Sequence, residues 1–183
     1  RSEYASSKVQ AEEYLQNSDA IIFRLGTLFG ISDEFSRIRL DLVVNILVTK
    51  ALTEGKLTVF GGEQWRPLLH VNDVANAINH TLEEGVTGIF NLHYKNFKII
   101  DIANEIIQKV PSAIIETTPM KFQDARNYQV SSEKLFNNTG FKAEVDLKSG
   151  IQEVFDLISN NRIKDVNHIR YSNQNYLKKY GIE

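Results

Sequence analysis

The chain has no cysteine, so disulfides, thiolate metal sites and thiol nucleophiles are excluded together. A reducing compartment fits that absence without being required by it. There is no basic run and the formal net charge is −2, which leaves nucleic-acid binding through phosphate neutralisation without support. No stretch approaches the roughly 18 apolar residues of a membrane span. The N-terminus is not a signal peptide, and the cytoplasm is the default location. His70, His80, His93 and His168 have no metal-ligand spacing, read as surface or packing residues, and give no reason to expect a metal. Internal repeats, low-complexity tracts and inter-domain linkers are also missing. So is a glycine-rich phosphate turn: Gly61-Gly62 is not followed by a phosphate-loop pattern and reads as a hairpin turn.

What is present is ordinary globular composition. Of the 183 residues, 42% are hydrophobic and 24% charged, enough for a sizeable core, and length alone suggests one domain. The chain opens at Arg1, without Met, in the first turn of an amphipathic helix, as expected of part of a longer protein. That helix is read over residues 3–16 and is followed by a buried strand over 20–25. After a charged loop over 26–40, Asp41 caps a helix bearing Leu42, Val43, Ile46, Leu47 and Ala51, ended by Gly55. Strands follow at Leu57–Phe60 and Trp65–Val71, where Pro67 argues for an edge position or irregular pairing. Asn72 or Asp73 caps a helix to Glu84, Gly88–Leu92 is a strand, and Ile99–Val110 is a strongly periodic helix stopped by Pro111. A short strand at Ala113–Glu116, helices at Ser132–Gly140 and Leu147–Ser159, and a polar tail docking as a helix complete an α/β pattern.

Tyr4 and Lys8 stand four residues apart on the first helix, hence on one face. A tyrosine with its usual pKa of about 10 is a poor base near neutrality. A cation beside it favours the phenolate. Such a pair suits proton transfer at a sugar or alcohol hydroxyl while a nicotinamide takes or gives hydride. Tyr94 and Lys98 repeat the spacing where a loop should run into a helix, with no chemistry expected, so the surroundings must decide.

Those surroundings have an order. Tyr4-x-x-x-Lys8 is followed by Arg24-Leu25-Gly26-Thr27-Leu28-Phe29-Gly30, then Thr58-Val59-Phe60-Gly61-Gly62 and Trp65-Arg66-Pro67-Leu68-Leu69-His70-Val71-Asn72-Asp73. Asp124-Ala125-Arg126-Asn127-Tyr128 leads on to Ser131-Ser132-Glu133-Lys134 and Gly140-Phe141. The succession, to about residue 160, resembles the extended short-chain dehydrogenase/reductases, in particular their nucleotide-sugar epimerase and dehydratase branch. The resemblance implies the C-terminal portion of a Rossmann-like NAD(P)-binding fold plus a smaller α/β substrate-binding domain. On that basis residues 1–60 are the last part of the Rossmann-like domain with an interleaved substrate-domain helix. Residues 61–161 are mostly substrate-binding, and 162–183 are a tail docked on the body.

Position by position, the resemblance makes Tyr4 the catalytic base and Lys8 its partner, which also holds the nicotinamide ribose of NAD or NADP. Arg66 matches the arginine that grips the substrate diphosphate, and a planar guanidinium fork suits phosphate. A surface arginine on an edge strand is the plainer reading. Arg126 resembles a second nucleotide-contacting arginine, Thr27 stands where relatives carry a ligand-contacting Asn, and Asn45 offers either an amide for the nucleotide or an exposed helix asparagine. Pro67 replaces the usual Asp after Arg66, and His93-Tyr94-Lys95-Asn96-Phe97 replaces a common glycine-rich turn.

The expected partner is a nucleotide-diphosphate sugar, converted by an epimerase, dehydratase or dehydrogenase, with no choice among the three. The resemblance also allows a homodimer through the Tyr-Lys helix, where Val9, Glu12, Glu13 and Gln16 face outward. The alternatives are a noncatalytic scaffold lacking the dinucleotide-binding half, and an oxidoreductase acting on a neutral flavonoid or steroid alcohol, against which Arg66 and Arg126 argue.

Overall fold

A computed structural model of the chain describes residues 3–33, 35–119 and 126–181. Its elements are α1 (Glu3–Leu15), β1 (Ile21–Leu25), β2 (Thr27–Phe29), α2 (Val43–Glu54), β3 (Lys56–Phe60), β4 (Trp65–His70) and α3 (Val71–Glu84). They continue with β5 (Gly88–Leu92), β6 (Lys95–Lys98), α4 (Ile99–Lys109), β7 (Ile114–Thr118), α5 (Glu133–Thr139) and α6 (Leu147–Ser159). A 3-10 turn at Ile169–Tyr171 precedes the last helix, α7 (Asn173–Tyr180). The fold is mixed α/β with parallel sheets. β1 pairs in parallel with β5 from Ile21↔Gly88 to Leu25↔Leu92, and β3 with β7 from Lys56↔Ile114 to Phe60↔Thr118. β4 lies between parallel β2 and antiparallel β6.

The main core forms where α2, α4 and α6 meet β3 and β4. On α4 the 3.6-residue period puts Ile99, Ile102, Ala103 and Ile106 on the buried face. Ile102 and Ile106 are wholly removed from water, each worth about 1.5–3 kcal/mol. On α2 the buried stripe is Val44, Asn45, Leu47, Val48 and Ala51, with Ile46 turned outward. The expected stripe through Val43 and Ile46 was rotated, because this helix is apolar on several sides and composition alone does not fix which side packs. A second core joins Leu69, Ala77, Phe90, Leu92 and Leu135 across β4, α3, β5 and α5.

Several local expectations need correcting. Gly61-Gly62 is not a hairpin turn, since β3 and β4 enter different sheets. β4 is a central strand and not an edge. Pro67 is tolerated because β2 pairs with β4 only from Leu68 onward, leaving Pro67 opposite Asn96 of β6 alone. A short strand, β2, occupies part of the expected loop. β1 is only half-buried over Ile21–Phe23 and exposed at Arg24 and Leu25, having β5 as its one strand partner among the described residues. Tyr94 and Lys98 bracket a strand, not a loop running into a helix.

Neither aspartate caps the helix assigned to it. α2 starts after Leu42 without a side-chain cap. Asp41 instead pairs with Arg39 and accepts the backbone N–H of Asn173 at 2.8 Å. Burial raises its pKa, but these bonds outweigh that and hold the carboxyl below its usual range. α3 is capped by His70, whose Nδ1 accepts the N–H of Asn72. Asp73 is buried and accepts the N–H groups of Glu144 and Val145, fastening the chain ahead of α6. In the tail, Tyr171 accepts the N–H of Leu40, and the Arg37 guanidinium lies 5.6 Å from the Tyr176 ring centroid.

Candidate active site

The Tyr4-Lys8 pair forms as helical geometry requires. Lys8 Nζ lies 5.4 Å from the centroid of the Tyr4 ring, and Tyr4 is 73% exposed. No residue of α1 is buried. A bidentate ion pair ties the helix to β1, with Arg24 Nε donating to Glu12 Oε2 at 2.8 Å and Nη2 donating to Oε1. That hydrogen bond holds the Glu12 carboxyl below its usual range. The phenol and ammonium therefore stand on an open helix face with room for a ligand beside them.

Arg66, on β4, reaches the backbone of the segment that carries Arg126. Arg66 is 3% exposed, and its Nη1 donates to the carbonyls of Trp65 and Arg126. Next along, Asn127 Oδ1 accepts the N–H of Trp65 at 3.0 Å. Arg126 itself is exposed. Arg66 is thus no surface arginine on an edge strand: it is a buried cation anchoring the segment that carries Arg126. Asp124, which opens that motif, lies outside the described residues.

Thr27 begins β2 in register with Leu68, two residues beyond Arg66. Asn45 is buried, so it is not an exposed helix asparagine. Its Oδ1 accepts from Gly30 N, and its Nδ2 donates to the carbonyls of Gly30 and Arg39. Both amide hydrogens are spent on the loop after β2, which leaves this side chain a loop clamp with no N–H to offer a nucleotide. The structure thus brings Tyr4 to Lys8 and Arg66 to Arg126, and gives Asn45 a separate, structural task.

Two polar constellations were not legible in the sequence. His70 is fully buried and its Nε2 lies 2.8 Å from Glu153 Oε2, which also accepts the N–H of Ile31. Because His70 Nδ1 accepts from Asn72, Nε2 carries the hydrogen donated to Glu153. Gly30 (φ 85°) passes so close that an added Cβ would run into the His70 ring. The second constellation joins His93, Ser132 and Asn96 beside a cleft of about 410 Å³. Partners 83 and 39 residues apart leave no spacing signal. The one clue was His93 itself, standing where a glycine-rich turn was expected. Among the described residues no group of three or more His, Asp or Glu is placed to hold a metal. None of the described helices is long and apolar enough to cross a membrane.

A model of the NAD dependent epimerase/dehydratase family matches residues 1–93. Solved structures extend the likeness over most of the chain. An NAD-dependent NDP-hexosamine 5,6-dehydratase involved in tunicamycin biosynthesis is 19% identical with a TM-score of 0.74, over 90% of this chain and 56% of that one. The dTDP-glucose 4,6-dehydratase of Bacillus anthracis in complex with NAD is 23% identical with a TM-score of 0.71, over 88% and 53%. A UDP-glucuronic acid 4-epimerase variant of Bacillus cereus, in complex with NAD and a fluorinated UDP-sugar, is 21% identical with a TM-score of 0.70, over 85% and 51%. The chain spans a little over half the length of these proteins.

Proposed function

The chain belongs to the NAD dependent epimerase/dehydratase family, and from that premise we propose that it supplies the proton-transfer and substrate-binding part of an NAD(P)-dependent enzyme acting on a nucleotide-diphosphate sugar. The observation that carries this reading is the Tyr4-Lys8 pair on the open face of α1. Tyr4 takes a proton from a sugar hydroxyl, and the Lys8 ammonium stabilises the phenolate that makes this possible. Lys8 also fits the ribose hydroxyls of a nicotinamide nucleotide, being a flexible cation beside the same exposed ring. A bound dinucleotide would supply the hydride acceptor and donor. Its pyrophosphate needs a glycine-rich turn that residues 1–183 do not contain, so this reading places that turn on other chain. The half-length match to relatives supports that placement.

Arg126 faces the substrate diphosphate, and Arg66 beneath it adds charge while holding the Arg126 segment in place. Thr27 offers a hydroxyl at the end of the β1–β2 turn. Epimerase, dehydratase and dehydrogenase share this proton-transfer step and differ in what happens to the keto-sugar afterwards. Val9, Tyr14 and Leu15, exposed on α1, provide the surface for a homodimer.

The test is Tyr4→Phe in the protein that carries this chain. Turnover of a UDP- or dTDP-sugar should fall about 10²–10⁴-fold with KM little changed, as for loss of a general base. Wild-type turnover in the variant removes Tyr4 from the mechanism. The second reading is a noncatalytic scaffold. It requires that NAD and NADP both fail to bind.

A further inference from the structure

The tail after α6 and the run of chain ahead of α2 build a third, small core. Leu40, Leu157 and Ile163 are its buried members, and Ile31, Ile38, Val166 and Tyr171 pack around them. Polar contacts close the same seam. Leu40 donates its N–H to the Tyr171 carbonyl at 3.0 Å. The Asn173 N–H donates to Asp41 Oδ2 at 2.8 Å, and Arg37 Nη2 donates to Asn173 Oδ1. The same guanidinium lies over the Tyr176 ring.

Each side of this seam depends on the other. The Arg37–Asp41 run belongs to no helix or strand, and the N–H of its buried Leu40 is satisfied by the tail. The loop's other end is secured by the body: Gly30 by Asn45 of α2, and Ile31 by Glu153 of α6. The tail is thinly anchored as well. α7 has eight residues and buries none of them, and a helix that short does not hold in water by itself. A cavity of about 190 Å³ remains in the seam, between Ile46, Thr49 and Thr53 of α2 and Val166, His168 and Asn175 of the tail. The tail's grip therefore comes from a few apolar side chains and the polar contacts just named.

Regions with few buried apolar contacts open below the free energy of global unfolding, and they do so in cooperative units. The main core, with Leu57, Ile102 and Ile106 wholly buried, lies at the other extreme. Two thinly anchored segments that satisfy one another's polar groups meet the condition for opening together. Asp41 is the residue they share. Its carboxylate accepts from Arg39 on its own side of the seam and from the Asn173 N–H across it. One side chain thus shapes the approach to α2 and fastens the tail.

We propose that residues 163–180 are a strap, fastened at Asp41 and Asn173, that opens and closes with the Arg37–Asp41 run as one unit while the two larger cores stay folded. The strap sets the order of the chain that leaves the Thr27 strand and enters α2. The C-terminal tail is thereby a control point for that loop. This goes beyond the nucleotide-sugar reading and does not depend on it.

The experiment is hydrogen exchange read amide by amide by NMR in the protein that carries this chain, with variants altered on one side of the seam at a time. Asn173→Pro removes the tail's N–H and its side-chain amide. Asn173 is the first residue of α7, where proline fits, and Ser172 before it already has the extended backbone that a proline demands (φ −126°, ψ 121°). Asp41→Ala removes the acceptor on the loop side. Asn173→Pro should speed exchange of the Leu40 N–H about tenfold or more, as for loss of a hydrogen bond to a charged group. Asp41→Ala should do the same to the Tyr176 N–H, which donates to Ser172 within the tail. The Ile102 and Ile106 amides of α4 should keep their wild-type rates in both. Asp41→Asn keeps an oxygen for the Asn173 N–H and should speed exchange much less. An unchanged Leu40 rate in Asn173→Pro, or an unchanged Tyr176 rate in Asp41→Ala, means the two sides are not one unit and overturns the proposal. So does equal acceleration of Leu40 and Ile106, because the strap would then open only with the whole body. Asp41→Asn as fast as Asp41→Ala removes the Asp41–Asn173 contact as the fastening.

Discussion

Replacing Gly150 with alanine sets two opposing effects against each other inside α6. An alanine in place of a helical glycine gains about 1 kcal/mol in backbone terms. Against it stands the packing: the new Cβ would collide with Phe29 Cε2, lie 2.5 Å from Phe29 Cδ2 and lie 3.5 Å from His70 Cδ2. Comfortable carbon contacts begin near 3.5 Å, so the overlap with the phenyl ring is on the order of 1 Å. The ring has nowhere to go. Phe29 is fully buried and meets His70 edge-on at 5.1 Å, while His70 is fully buried and bonded to Glu153 of the same helix.

Overpacking of this kind costs about 1–3 kcal/mol, and such fixed neighbours place it at the upper end. After the helix gain, Gly150→Ala should be destabilised by about 1–2 kcal/mol. Its Tm should fall by roughly 2–8 °C, at about 2–4 °C per kcal/mol for a chain of this size. Urea unfolding followed by circular dichroism measures the first quantity, and a thermal scan the second. Gly150→Ala combined with Phe29→Leu makes room for the methyl group. The double variant should be more stable than the sum of the single losses by at least about 0.5 kcal/mol. A more stable Gly150→Ala, or strict additivity in the double variant, refutes the steric reasoning.

Two further outcomes are expected. Burial alone would raise the Glu153 pKa, but the His70 Nε2–H and Ile31 N–H bonds outweigh it and hold the carboxyl below its ordinary 4.5. A depressed folded pKa means this stabilisation is complete above pH 4.5 and lost as the pH falls through the lower folded value. Stability measured by urea titration should therefore drop below pH 4.5 in the wild type and drop less steeply in Glu153→Gln; parallel profiles would dismiss the linkage. Arg66→Ala should weaken nucleotide-diphosphate binding by about 1.5–3 kcal/mol, roughly 10–150-fold in Kd by calorimetry, and an unchanged Kd would remove the arginine pair from the site.

Which of these features the sequence discloses depends on how far apart the partners lie. α4 and α6 were legible because their apolar residues repeat at helical spacing on one side only, and Tyr4 with Lys8 because four residues of helix suffice to join them. The Gly55 end of α2 was legible for the same local reason. Asp41 and Asp73 misled for the converse reason. An acid just ahead of a helix, or in its first turn, looks like a cap, yet their backbone partners are Asn173, Glu144 and Val145, between 71 and 132 residues away. Asn45 reads in the sequence as a nucleotide contact or an exposed helix asparagine, and Arg66 as a diphosphate contact or a surface arginine, yet both are buried. Their burial depends on a loop and a segment folding over them, for which no spacing rule exists. β2 is three residues long, too short for alternation to register.

The Tyr4-Lys8 pair proposed above as the proton-transfer pair also imposes an energetic condition. Tyr4 and Lys8 ride on a 13-residue helix that buries none of its own side chains. A helix of that length is marginal in water without tertiary support. The Arg24–Glu12 pair that tethers it is solvent-exposed, and such pairs are screened and contribute little. Productive proton transfer needs the phenol held within hydrogen-bond reach of one hydroxyl. That precision must come from whatever covers α1 in the working protein: bound ligand, a second copy, or further polypeptide. Hydrogen exchange at the α1 amides measures it directly. If α1 is the cofactor-facing helix, its amides should exchange near the rate of unfolded chain in residues 1–183 alone and be strongly protected in the dinucleotide-bound enzyme. Equal protection in both would mean that α1 is held by residues 1–183 themselves, and the requirement for a covering partner would fall.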